Sequence, residues 1–167
     1  MKLFLSRVAV LVSVLYTLNS CTADASAPAT PTTVSQTTVP YPYTTFENET
    51  LTLINNYRVS IGLNALIKSD YLSFKAEEHN NYMISNNVVN HNDFVARSED
   101  IMKTLGAKYV TENVAYNYNT PKAVLDAWLA SEGHKINLEG NYTHFGLSVR
   151  ENPITGKKYY TNIFAKI

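Results

Sequence analysis

The hydrophobic pattern predicts that the folded part of the chain begins with an amphipathic helix. Its apolar side chains recur three or four residues apart, at Leu51, Ile54, Tyr57 and Ile61. Thr44 and Glu47 have the spacing of a capping box, in which each side chain binds the backbone N–H of the other residue. Gly62 follows the last apolar position and ends the pattern.

A second helix is predicted after Ser69 or Asp70, since either residue can cap a helix N-terminus. Its two faces differ in polarity. The apolar face contains Leu72, Ala76, His79 and Met83, and the polar face contains Lys75, Glu77, Glu78 and Asn81. Asn86 and Asn87 end this helix.

Two shorter helices follow in the pattern. One is predicted from Ser98 to Leu105, with Gly106 at its end. The other begins at Thr120, an N-cap residue that is followed by proline in the first turn. The residues of this last helix that we expect to face the core are Val124, Leu125, Ala127 and Trp128.

Three segments have the period of β-strands. Residues 112–118 alternate apolar and polar side chains, and residues 145–149 and 159–164 flank a turn at residues 152–156. The last two segments predict a hairpin with a longer loop. Helices that precede and separate the strands favour an α+β fold built in layers.

The N-terminus has the features of an export signal. Lys2 and Arg7 precede an apolar run, residues 8–18, that is too short to span a bilayer as a helix. The run ends in the sequence Leu-Asn-Ser-Cys, which resembles the lipobox of bacterial lipoproteins and makes Cys21 the candidate lipidation site. The alternative is a plain secretory signal cleaved between residues 23 and 27, which would give a secreted protein.

The resulting domain organisation has three parts. Residues 1–20 are predicted to be a lipoprotein-type signal peptide, and residues 21–45, rich in Thr, Pro, Ala and Ser, a disordered tether. Residues 46–167 form the predicted folded domain. A lipid on Cys21 would anchor the protein in the cell envelope without a membrane-spanning segment. Which membrane holds the anchor stays open.

Charge and cysteine content exclude several classes of function. The chain has 14 Lys and Arg against 14 Asp and Glu, and no basic cluster stands out, so we expect no nucleic-acid partner. The single cysteine allows neither an intramolecular disulfide nor a cysteine-based metal site. A metal would need histidine and carboxylate ligands.

Three short clusters combine titratable side chains with turn-forming residues, namely residues 90–92, 111–113 and 131–134. Together they offer the imidazoles of His91 and His134 and the carboxylate of Glu112. Such a set suits a zinc site with open positions, and it suits metal-free acid–base chemistry equally well. Spacing alone does not bring the clusters together, because no His-x-x-x-His pair is present.

Six segments, in this order along the chain, resemble a bacterial member of the CAP superfamily of cysteine-rich secretory, antigen 5 and pathogenesis-related proteins. They are residues 53–58, 90–91, 112–116, 127–137, 141–149 and 159–164. The resemblance extends from about residue 51 to residue 167. It implies a three-layer α-β-α sandwich with a central cleft lined by a His/Glu tetrad.

The resemblance assigns three tetrad positions to His91, Glu112 and His134, which are the expected catalytic residues. The fourth, acidic position falls on Ser131, and the adjacent Glu132 is a possible substitute. Relatives bind Zn²⁺ or another divalent ion through the two histidines, and this is expected here only of His91 and His134.

Asn113 and Ser131 are weaker candidates for ligand contact, and each candidate also has a structural alternative. Glu112 could hold its loop through backbone N–H groups, and Asn113 could bind backbone. Gly133 is expected to adopt a positive φ that orients the next residue, His134. We expect His79 and His144 to be structural histidines.

Three functions remain open. The first is an extracellular binding module whose cleft takes a divalent metal and a lipid, glycan or peptide. The second is a metal-dependent hydrolase of peptide or ester bonds, in which Glu112 is the general base for water held at the two histidines. The third is a non-catalytic adhesive or structural protein of the envelope, favoured by serine at position 131. The oligomeric state is left open.

Overall fold

The structure is a computed structural model that describes residues 40–167. The predicted signal peptide, Cys21 and the tether as far as residue 39 lie outside the described residues. Five helices and four strands follow one another in the order α1 (Thr45–Ser60), β1 (Ile67–Lys68), α2 (Asp70–Asn86), α3 (Phe94–Leu105), β2 (Tyr109–Tyr116), α4 (Pro121–Ala130), α5 (Glu132–Leu138), β3 (His144–Glu151) and β4 (Lys158–Lys166).

The four strands form one mixed sheet in the order β1-β3-β4-β2. β4 pairs antiparallel with both β3 and β2, and β1 pairs parallel with β3. In the β2–β4 register, Glu112 lies opposite Ile163 and Asn113 lies opposite Asn162. Because successive side chains in a strand point to opposite faces, Glu112 and Asn113 face different layers of helices.

Helices cover both faces of the sheet, which confirms the predicted α+β sandwich. On one face, α2 and α3 pack over Ile163 and Ala165, with Leu72 and Ile101 in the contact. On the other face, α1 and α4 pack over Phe145 and Phe164 in a larger core. Trp128 of α4 is 1% exposed in that core. Among residues 40–167, no helix is long and apolar enough to cross a membrane.

Three of the helix starts agree with the predicted caps. Thr44 and Glu47 form the complete capping box of α1, Ser69 accepts from Leu72 N in α2, and Thr120 accepts from Ala123 N in α4. The α3 helix begins at Phe94, before the predicted Ser98. Its N-cap, Asp93, has φ 57° and makes no side-chain cap bond, so no cap pattern marked this start.

The region around Gly133 differs from the prediction. It is the short helix α5, and Gly133 is not among the glycines with positive φ in residues 40–167. The expectation of a positive-φ turn at this position is therefore wrong. The physical reason is that the Ser131 carbonyl accepts from both His134 N and Lys135 N, so the chain continues as a helix directly after α4.

The folded region begins earlier than residue 46, the predicted boundary. Tyr41 is 3% exposed, and its hydroxyl donates to Glu47 Oε1 at 3.1 Å and accepts from Arg150 Nη2 at 2.7 Å. The ring also packs edge-on against Phe74. Tyrosine at this position buries an aromatic ring and satisfies its hydroxyl, so the last residues assigned to the tether belong to the domain.

Candidate functional site

Glu112 is the centre of a buried charged cluster. β2 directs this side chain to the α2/α3 face, where it is 1% exposed. Arg97, at the start of α3, binds it with both arms of its guanidinium, Nε to Oε2 at 2.9 Å and Nη2 to Oε1 at 2.9 Å. A buried carboxylate requires such a partner, because desolvating an unpaired charge costs several kcal/mol. Glu112 is therefore an ion-paired carboxylate.

The His91 imidazole contacts the same carboxylate from the loop between α2 and α3. Nδ1 lies 2.9 Å from Glu112 Oε1, and the side chain is 49% exposed. An ion-paired carboxylate offers only lone pairs, so Nδ1 must carry the proton and donate it. The lone pair of neutral His91 is then on Nε2. A carboxylate behind an imidazole is the usual support of a metal-binding histidine.

His79 of α2 forms a hydrogen bond to the loop that carries His91. Its side chain is 1% exposed, and Nε2 is 2.8 Å from the Asn90 carbonyl and 3.7 Å from Glu112 Oε1. Burial lowers the pKa of His79, and Arg97 lowers it further, although the nearby Glu112 acts in the opposite direction. A neutral ring that donates to a backbone carbonyl is a structural histidine, as expected.

His134 lies on α5, on the opposite side of the edge strand β2. Asn113 Nδ2 donates to the His134 carbonyl at 3.0 Å, and Asn113 Oδ1 accepts from Asn137 Nδ2 at 2.8 Å. Burial lowers the pKa of His134, and the charge of His91 lowers it further. Both effects favour the neutral state of His134 that metal ligation needs.

The remaining predicted site residues are Asn113, Ser131 and Glu132, and their contacts differ from those of the two histidines. Asn113 is fully buried with both ends of its amide used internally, as the structural alternative expected. Ser131 joins α4 to α5 through its backbone. Glu132 is exposed, and within residues 40–167 its carboxylate forms no hydrogen bond or ion pair with either histidine of the site. Glu132 therefore does not replace the fourth tetrad position in this arrangement.

By the chemistry of their ring nitrogens, His91 and His134 are the two residues of the candidate site that could ligate a cation. Within the described range 40–167, no three His, Cys, Asp or Glu side chains are grouped so that they could hold a metal ion. Water or a ligand would have to complete the coordination of a cation at His91 and His134. Glu112, enclosed by Arg97 and His91, is poorly placed to take a proton from such a water.

Two open clefts adjoin the charged cluster. One, of about 270 Å³, lies between α2 and α3, where His79, Tyr82 and Arg97 contribute to its wall. The other, of about 500 Å³, follows the start of α3 and has His91, Val95 and Glu99 on its wall. The second cleft gives an external ligand direct access to His91.

Sequence reasoning missed Arg97 and its ion pair with Glu112. The predicted helix began one residue after Arg97, which left the arginine in a loop. A usable signal did exist, because Val110 and Val114 lie two residues before and after Glu112, on the same face of the strand, and a carboxylate in that position needs a counter-charge. The sequence did not indicate which of its basic residues supplies it.

Comparison with known proteins gives the family. The sequence profile of the CAP family, described as the cysteine-rich secretory protein family, matches residues 51–164. The chain therefore belongs to this family. It is 35% identical over 134 residues to the uncharacterized protein YkwD of Bacillus subtilis (strain 168), covering 78% of this chain and 51% of that protein. It is also 35% identical over 130 residues to the uncharacterized membrane protein YlbC of the same strain, covering 74% of this chain and 35% of that protein.

Solved structures show the same fold. An outer surface protein from Borrelia burgdorferi matches with a TM-score of 0.64 at 22% identity, over 71% of this chain and 90% of that one. An extracellular protein containing an SCP domain from Bacillus anthracis matches with a TM-score of 0.62 at 26% identity, over 72% of this chain and 40% of that one. The chain spans about half or less of the length of the two Bacillus subtilis relatives.

Proposed function

We propose that this CAP-domain protein is an exported, non-catalytic binding protein of the bacterial cell envelope. In this proposal, His91 and His134 hold a divalent cation, Zn²⁺ in the first instance, and the cation binds an extracellular ligand. The observation that carries the proposal is the contact of Glu112 with both Arg97 and His91. It presents His91 as a ligand and withdraws Glu112 from proton transfer.

Each residue has a defined part in this mechanism. Glu112 orients the His91 ring, and Asn113 holds the α5 backbone that carries His134. The cation, when bound, supplies an electrophilic centre for an oxygen of a lipid, glycan or peptide. The cleft beside His91 is open to solvent, so such an oxygen can reach the ring without closure of a lid.

The hydrolase alternative receives less support from the same geometry. It needs a carboxylate that accepts a proton from water at the histidines. Glu112 is 1% exposed and is shared between a guanidinium and an imidazole, so it has little access to such a water. Glu132 is exposed but does not contact either histidine.

Export and anchoring rest on the N-terminal sequence and on the relatives. The signal-like residues 1–20 and the lipobox-like position of Cys21 support a lipid anchor. The Bacillus anthracis protein is described as extracellular and the Borrelia burgdorferi protein as an outer surface protein. Replacing Cys21 by serine should move the protein from the detergent phase of a cell extract to the aqueous phase. Unchanged partitioning would remove the anchor from the proposal.

The metal site is tested by calorimetry with Zn²⁺ on residues 22–167, which lack the predicted signal peptide and the cysteine. We expect saturable one-to-one binding that weakens at least about tenfold in either His91→Ala or His134→Ala and disappears in the double variant. His144→Ala is the matched control, because His144 contacts Thr143 at the start of β3 and neither site histidine.

Two outcomes would contradict the proposal. Wild-type protein that binds neither Zn²⁺ nor another divalent ion would favour the adhesive or structural function. A folded double variant that binds as well as the wild type would place the metal elsewhere.

A further inference from the structure

Arg97 contacts both the carboxylate that supports His91 and the loop that carries it. Its Nε and Nη2 donate to Glu112, and its Nη1 donates to the Asn92 carbonyl at 3.2 Å. The Arg97 backbone N–H also donates to the Asp93 carbonyl at 2.9 Å. One side chain therefore fixes the position of His91 relative to Glu112.

The loop is held on the other side of His91 as well. The Asn90 carbonyl accepts from His79 Nε2 at 2.8 Å, so the residues before and after His91 both have anchored carbonyl groups. Phe94 N donates to the His91 carbonyl at 3.1 Å and closes the turn. Among the hydrogen bonds formed within residues 40–167, the ring itself takes part only through Nδ1.

We infer that Arg97 is the positioning residue of the candidate site, and that its contact with Glu112 forces His91 into the tautomer with the proton on Nδ1 and the lone pair on Nε2. Neutral histidine has two tautomers, and a fixed acceptor at Nδ1 selects the one with its proton on that atom. Glu112 is that acceptor, and both arms of the guanidinium fix the position of its carboxylate oxygens. The consequence for metal binding rests on the proposed function, whereas the tautomer does not.

A purely structural ion pair would give the same contacts but would leave the tautomer of His91 independent of Arg97. Replacing both charges together tests whether the charged pair sets the tautomer, and Arg97→Lys, which leaves Glu112 in place, isolates the part of Arg97. In the variant Arg97→Gln/Glu112→Gln, no unpaired charge remains buried, and the amide at position 112 can either accept from or donate to Nδ1. The tautomer is then no longer dictated.

The experiment is a long-range ¹H–¹⁵N correlation spectrum of histidine side chains in metal-free residues 22–167 at pH 8, where an ordinary imidazole is neutral. His91→Ala identifies the resonances of His91. We expect a single Nδ1–H tautomer in the wild type and a mixture in Arg97→Gln/Glu112→Gln. Arg97→Lys, which keeps the charge without the planar fork, should retain the Nδ1–H tautomer of His91 only in part.

Lys75→Ala is the matched control. Lys75 borders the same cleft between α2 and α3 and pairs with Glu78 and Asp100, without contacting Glu112. It should leave the spectrum of His91 unchanged. Wild-type His91 with its proton on Nε2, or an unchanged Nδ1–H tautomer in the double glutamine variant, would overturn the inference.

Zinc calorimetry on the same variants gives the second readout. Loss of the supporting carboxylate or of its position should weaken Zn²⁺ binding by about 10–100-fold, with Lys75→Ala equal to the wild type. Absence of Zn²⁺ binding in the wild type would contradict the proposed function alone, because the tautomer is measured without metal. A changed tautomer with unchanged zinc affinity would overturn the positioning role.

Discussion

The two histidines of the site are held by different kinds of contact. On the α2/α3 side, the His91 ring is bound through Nδ1 by a buried carboxylate that a guanidinium clamps. On the α5 side, His134 is held through its backbone carbonyl by Asn113. One histidine is fixed at the ring, whereas the other is fixed at the main chain.

Under the proposed function, this difference gives the two side chains separate tasks. A ring with a charged acceptor behind it has one tautomer and a defined direction, which suits a ligand that sets the geometry of a metal site. Within residues 40–167 no hydrogen bond sets the direction of the His134 ring, because the contact with Asn113 is made through the His134 carbonyl. We call the contacts of Arg97 and Glu112 the charged side and those of Asn113 the amide side. The stability of the charged side should be sensitive to changes of charge, and that of the amide side to loss of hydrogen bonds.

The largest expected effect comes from breaking the charged side alone. Arg97→Ala leaves Glu112 buried without its partner, and we expect the free energy of unfolding to fall by about 3–5 kcal/mol. Urea denaturation monitored through Trp128 measures this change. The double variant Arg97→Gln/Glu112→Gln should recover most of the loss. A single variant as stable as the wild type would contradict the role of the ion pair.

A smaller loss is expected on the amide side. Asn113→Ala removes the donor to the His134 carbonyl and the acceptor for Asn137, both in a buried position. Leaving such partners unsatisfied should lower the free energy of unfolding by about 1–3 kcal/mol. The same denaturation experiment tests this, with His91 keeping its wild-type tautomer. A change in the His91 tautomer would mean that the two sides are not independent.

The pH dependence of stability distinguishes the sides further. Burial lowers the pKa of His79 and of His134 below the ordinary value of 6.5. Between 6.5 and the lower folded pKa, the unfolded chain binds protons that the folded protein does not, so stability falls as the pH falls through this range. The dependence should decrease more in His79→Gln than in His134→Gln, since the His79 side chain is 1% exposed. The measurement is the urea midpoint of each variant from pH 7.5 to 5. The same slope against pH in His79→Gln and His134→Gln would contradict this.

The smallest effect is expected for Glu132→Ala. Glu132 is exposed in the first turn of α5, where a carboxylate interacts only weakly with the helix dipole. We expect a change in unfolding free energy within about 0.5 kcal/mol and unchanged Zn²⁺ binding. A loss of zinc affinity would show that Glu132 turns towards the histidines and completes the site.

Much of the fold could be predicted because its signals are local. The capping box at Thr44, the caps at Ser69 and Thr120, and the hairpin about residues 152–156 are each encoded within a few residues. The starts of α3 and α5 escaped prediction because neither N-cap makes a side-chain bond. The burial of Tyr41 escaped it too, since that depends on Arg150, more than a hundred residues away in the chain.

The sequence by itself determined most of the helices and strands, the α+β class and the family, and it singled out His91, Glu112 and His134 as candidate site residues. Only the tertiary structure decided their roles. The roles depend on which side chains meet across the sheet edge, and a carboxylate acts as a base or as a support according to what surrounds it. Here α3 places Arg97 against Glu112, and this contact makes Glu112 the support of His91.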